Sequence, residues 1–164
     1  RFISEHSEWG NISTLETVAL GHENGTAVMK VPNTTNTGMA SLVHESKQWT
    51  GDRWVQPEWE NFPKIEVKTR TLDSYEFDQL DFIKIDVEGH EIEVIEGAIE
   101  TINKNKPILL VEIEERHSKK KVIDAIKFIN ALGYKSYYFN EKELINTATL
   151  TNFETYNNYI FKPI

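Results

Sequence analysis

Two acidic clusters, each running off the end of an apolar segment, hold the side chains through which this sequence could do chemistry. The first is Asp86-Val87-Glu88-Gly89-His90-Glu91, and the second is Glu112-Ile113-Glu114-Glu115-Arg116-His117. A histidine accepts a hydroxyl proton near neutral pH, and a neighbouring carboxylate orients it or raises its basicity. His90 is therefore the candidate base, with Asp86 and Glu88 beside it. Asp86, Glu88, His90 and Glu112 are also hard donors suited to Mg²⁺ or Mn²⁺, which makes a metal-dependent hydrolase an alternative, although no spaced ligand signature accompanies them. A third reading makes Asp86 or Glu88 the cap of the following helix, in a non-catalytic interaction domain. Local sequence leaves capping and catalysis open. Glu91 and Glu93 read as solvated helix surface, and His44 and His117 carry no spacing signal.

Such chemistry requires elements that bring the two clusters together. Segment 82–87 (FIKIDV) is a nearly continuous apolar run suited to a strand covered on both faces. Ile92, Ile95, Ile99 and Ile102 follow at spacings of three and four, which is helical, and Lys104 and Lys106 before Pro107 supply a stop signal. Segment 108–111 is another short strand. Ser118 is placed to cap a helix carrying Val122, Ile126 and Ile129, with Gly133 ending it. Segments 135–139 and 158–162 complete the pattern as two strands, the last of which can pair antiparallel because no helix separates it from its predecessor. Alternation of strands and helices implies right-handed crossovers and a largely parallel sheet. Ligands of such sheets bind beyond the carboxyl ends of the strands, where both acidic clusters fall. If those strands are neighbours, about 4.8 Å apart, carboxylates and a histidine line one crevice.

Upstream, segments 14–20 and 26–31 are β-prone runs around a turn containing Asn24-Gly25 and read as an antiparallel hairpin. Segment 32–63 is polar and aperiodic, with Trp49, Trp54 and Trp59, and is longer than a simple connection. Segment 65–70 alternates as a half-buried strand does.

Composition bounds the function classes. The 164 residues, 39% hydrophobic and 27% charged, suit one globular domain. A net charge of −8 argues against a basic face for nucleic acid or anionic lipid. The chain has no cysteine, which excludes disulfides and thiolate metal sites and fits a cytoplasmic location. It has no apolar run long enough for a membrane span.

The stretch 81–98, DFIKIDVEGHEIEVIEGA, resembles the signature of FkbM-type methyltransferases through eleven consecutive positions, DFIKIDVEGHE. Glu16 to Gly21, Gly38 to Leu42, Thr71-Leu72-Asp73 and Pro107 to Glu112 resemble further family segments in order. The resemblance implies an α/β fold built on a Rossmann-like methyltransferase sheet of order 3-2-1-4-5-7-6, mostly parallel with an antiparallel last strand. It implies S-adenosylmethionine as cofactor and O-methylation of a hydroxyl on a sugar, lipid-linked saccharide or polyketide. On that alignment Ala19 and Leu20 lie against the adenine, Asp86 contacts the cofactor, His90 or Asp86 takes the proton, Glu88 orients the pocket, and Ser41 and Glu112 contact the acceptor. Strands one and two, with their glycine-rich loop, have no counterpart before Thr14. The expectation is a truncated domain, inactive by itself, with one edge of the fourth strand uncovered and with chain pairing along that edge conceivable.

Overall fold

The computed structural model describes residues 14–31, 48–49, 54–55, 62–114 and 121–164. Expectations that fall on Ser41 and its neighbours 38–42, on His44, Trp59 and His117, and on the Ser118 cap lie outside the described residues.

The main sheet has five strands in the order β6-β7-β10-β8-β9, comprising β6 (Phe82–Ile85), β7 (Ile108–Glu112), β8 (Tyr134–Phe139), β9 (Leu144–Asn146) and β10 (Asn158–Pro163). β6 and β7 are parallel, with Phe82 opposite Ile108 and Ile85 opposite Val111. β10 inserts antiparallel between β7 and β8. The first four strands of the sheet thus follow the order 4-5-7-6, and β9 adds an edge that the sequence pattern did not announce.

Two further expectations about this sheet are corrected. The described sheets are mixed, because β10 and β9 each return beside their partner without an α-helical crossover and pair antiparallel. β6 is not covered on both faces. Within it only Ile85 is fully buried, while Phe82 is 53% exposed, and among the described residues β6 pairs with β7 alone.

A second sheet has the order β1-β5-β2, from β1 (Ala19–Leu20), β2 (Gly25–Lys30) and β5 (Lys64–Arg70). The anticipated hairpin is therefore not formed: β5 lies between its two arms, parallel to β1 and antiparallel to β2. The Gly21–Asn24 turn spans β5 and is fastened to the end of that strand. Gly21 donates its N–H to the Arg70 carbonyl at 3.0 Å, and the Asn24 side chain accepts the Thr71 N–H at 2.8 Å. A two-residue ladder joins β3 (Gln48–Trp49) to β4 (Trp54–Val55).

The single helix expected over 92–102 is two, α1 (Glu91–Glu96) and α2 (Ile99–Asn105), broken at Gly97-Ala98. A Cβ on Gly97 would fall 2.0 Å from the Gly21 carbonyl oxygen, so the loop leaving β1 occupies the space an uninterrupted helix with side chains would need. Restarting the helix exposes new N–H groups, and Asp73 takes two of them, accepting from Glu100 at 3.1 Å and Thr101 at 2.8 Å. α3 (Val122–Ala131) buries Val122, Ala125, Ile126 and Ile129, as its periodicity implied. One core cluster joins these residues to Ile95, Ile102, Leu109, Val111, Tyr159 and Phe161, each of which contributes about 1.5–3 kcal/mol by leaving water.

Candidate active site

β6 ends at Ile85, and the chain crosses to α1 through a tight turn whose backbone is left-handed at two consecutive residues, Glu88 (φ 51°) and Gly89 (φ 96°). A left-handed glycine is unstrained, whereas the same region costs a residue with a Cβ about 1–2 kcal/mol. The turn is held by Glu91, the first residue of α1. Its carboxylate reaches back to accept the Gly89 N–H at 2.7 Å.

Asp86, Glu88 and Glu91 from this turn and Glu112 and Glu114 from the end of β7 line one small cleft of about 10 Å³, room for a single water. The β6–β7 register accounts for the meeting, since parallel pairing of Ile85 with Val111 brings both strand ends to the same edge. The expected gathering of Asp86, Glu88 and Glu112 is therefore found, with two carboxylates added.

Lys84 lies beside this cluster. Its ammonium contacts Asp86 at 2.8 Å, and that hydrogen bond and charge, aided by Glu112, push its pKa up, so it remains a cation. Glu91 is only 5% exposed, and burial raises its carboxyl pKa against the opposing pull of the Gly89 and Glu91 N–H groups. Reading Glu91 as solvated surface is thus overturned. Its residue type argues for surface, but it stands four before Ile95 on the buried face of α1, and its place at the helix start lets the side chain fold inward over the turn. Glu114 is likewise buried, with Oε1 accepting from Asn157.

His90 is the N-cap residue of α1 and does not line the carboxylate cleft. Its side chain is 19% exposed, with Nδ1 3.7 Å from Glu93 Oε2, beyond hydrogen-bond range and an ion pair only when the imidazole is protonated. Nε2 points toward the loop leaving β1 and would lie 3.3 Å from a Cβ on Gly21. The single crevice of carboxylates and histidine is thus divided in two: carboxylates between the ends of β6 and β7, and imidazole between α1 and the end of β1. The Asp86 side chain is engaged by Lys84, and the N-cap residue His90 makes no side-chain cap bond to α1. Ala19 and Leu20, half-buried, end β1 on the His90 side of this arrangement.

Asp73, Gly21 and Gly97 were not singled out by spacing, yet they assemble the site's frame. Asp73 accepts from α2 and donates its own N–H to the Gly97 carbonyl at 3.0 Å. Arg70 lies 3.8 Å over the Tyr75 ring and bonds both the Ser74 hydroxyl and carbonyl, which fixes the strand-to-turn corner that carries Asp73. Among the described residues, no three His, Asp or Glu side chains converge in a metal-ligating arrangement.

The sequence model of the methyltransferase FkbM domain matches residues 6–136, and the chain belongs to the FkbM methyltransferase family. A crystal structure of methyltransferase FkbM from Methylobacillus flagellatus KT shares its fold, with a TM-score of 0.54 at 14% identity over 97% of this chain. The chain spans 30% of the length of that protein. No curated protein matches the sequence. No helix among the described residues is long and apolar enough to cross a membrane.

Proposed function

We propose that the site serves S-adenosylmethionine-dependent O-methylation, with a hydroxyl of a sugar, lipid-linked saccharide or polyketide as acceptor. The observation that carries this reading is the placement of the DFIKIDVEGHE segment. It runs from a strand through a left-handed turn into a helix, with five carboxylates and His90 on either side of the turn. The donor set suits the cofactor, because a carboxylate-rich strand end favours a ligand carrying positive charge, and carboxylates accept from ribose or acceptor hydroxyls.

When bound, S-adenosylmethionine supplies an activated methyl group on a positively charged sulfur. Ala19 and Leu20 offer backbone and apolar surface to the adenine at the end of β1. Asp86 contacts the cofactor, and Glu112 with Ser41 receives the acceptor. Glu88 orients the acceptor hydroxyl, and His90 takes its proton at Nε2, while Glu93 beside Nδ1 stabilises the imidazolium that forms. Holding the hydroxyl in line with the methyl group contributes about 7–11 kcal/mol, whereas general-base assistance contributes on the order of 10²- to 10⁴-fold. Positioning therefore outweighs proton removal. Further family segments, outside this chain's thirty per cent share of the neighbour's length, contribute to the cofactor site in this proposal.

The test is transfer of labelled methyl from S-adenosylmethionine to a panel of saccharide and polyketide hydroxyls, with wild type and His90→Ala compared. Loss of about 10²-fold or more in kcat at unchanged cofactor affinity supports the assignment. Equal rates above background for both proteins remove His90 from the mechanism.

A further inference from the structure

We propose that Glu91 is a positioning residue: by folding back onto the Gly89 amide it locks the left-handed Glu88–Gly89 turn and so sets the directions in which Glu88 and His90 leave the backbone. The inference rests on the reading of this turn as the acceptor side of a methyltransferase site.

Three observations converge on Glu91. It begins α1, where a glutamate ordinarily projects into water, yet it is among the buried residues. Its acceptor bond runs back to the residue two positions earlier, so it acts on the turn. The two residues it closes over are the consecutive left-handed pair, and one of them, Glu88, has a Cβ and is held there against its own preference. Immediately after the pair comes His90, whose imidazole must pass between Glu93 and the loop at Gly21. A small rotation of the turn would carry that ring into Gly21 or away from it.

The latch works in both protonation states, since a neutral carboxyl still presents a carbonyl oxygen to the Gly89 N–H. The groups that face it are Asp86 and Glu88 in the turn, Glu93 on α1, and Glu112 and Glu114 on the β7 end. Burial above all, with the charges of Glu93 and Glu88, keeps the Glu91 carboxyl pKa high and makes the glutamine variant a close mimic of the protonated form.

Amide and imidazole NMR of the 164-residue chain, followed across about pH 4 to 8, tests the proposal without any ligand. In wild type the Gly89 amide proton is expected downfield and titrating with a midpoint above 4.5. Glu91→Gln should keep it downfield, abolish the titration and leave the His90 ring signals in place. Glu91→Ala should shift both Gly89 and His90 signals while remote Tyr134 and Phe161 signals stay put. A wild-type Gly89 amide blind to pH, or His90 signals unmoved in Glu91→Ala, overturns the proposal. If the alanine variant does not fold, Glu91→Gln decides alone, because loss of the downfield Gly89 position in it also overturns the latch. Both readouts are ligand-free, so the two readings fail separately: a Gly89 amide blind to pH sinks the latch and leaves the cofactor assignment untouched, whereas failure of S-adenosylhomocysteine binding leaves the latch standing.

Discussion

A Cβ on Gly97 would sit 2.0 Å from the carbonyl oxygen of Gly21, so the α1–α2 junction and the loop leaving β1 meet backbone to backbone. That contact ties the small β1-β5-β2 sheet to the helices behind the main sheet and brings the end of β1 beside His90. Gly97→Ala is expected to cost about 3 kcal/mol, because the new Cβ is fixed by its backbone and the oxygen it meets is itself backbone, so neither can rotate away. For a chain of this size that is a fall in Tm on the order of 10 °C. An unchanged melting curve would show that the two loops do not touch.

Asp73 is the cap that lets the helix restart after this break. Asp73→Ala should lower stability by about 1–2 kcal/mol and Asp73→Asn by less, since the amide oxygen keeps an acceptor for Glu100 or Thr101. Urea unfolding of the three proteins checks the order.

The buried Glu91 carboxyl makes a signed prediction about pH. Its folded-state pKa is raised, so its contribution to stability is complete below the unfolded value and is lost as pH rises through the folded one. Glu91→Gln cannot ionise and escapes that loss. The variant should match wild type in acid and become the more stable of the two as pH rises above about 4.5, a divergence that thermal unfolding at several pH values would reveal. Parallel curves would mean that Glu91 ionises in the fold as readily as in water.

Tyr134 donates to the Pro107 carbonyl at 2.9 Å from a fully buried position between β8 and the start of β7. Burial pushes its phenol up to about 12, so one tyrosine should ionise late in an alkaline absorbance titration. Tyr134→Phe should abolish that late step and cost about 1 kcal/mol.

Much of the main sheet was legible because its strands and helices are local patterns. The apolar run at 108–111, the period of α3 and the Gly133 stop all express themselves within a dozen residues, and the eleven-residue signature placed β6, its turn and α1 together. What escaped depends on partners distant in sequence. β2 and β1 look like hairpin arms until β5, some forty residues on, inserts between them. Ile92, Ile95, Ile99 and Ile102 keep helical spacing across Gly97, so only the approach of Gly21 reveals the break. Glu91 stands four before Ile95 on the buried stripe, but a glutamate argues for surface, and its burial follows from a bond to a turn whose handedness the sequence does not announce. Asp73 was visible as part of a motif but not as a cap, because the helix it serves begins twenty-six residues later.

The central claim is that the carboxylate and His90 ends of β6, β7 and β1 belong to a site for S-adenosylmethionine. It is tested most directly by calorimetric titration of S-adenosylhomocysteine into this chain and, in parallel, into an extended form that carries the glycine-rich loop of the family. The account predicts saturable binding by the extended form, weakened in Asp86→Ala, and weak or no binding by the 164 residues alone. Absence of binding by both would contradict it, and tight binding by the shorter chain would show that these residues hold the cofactor without the glycine-rich loop.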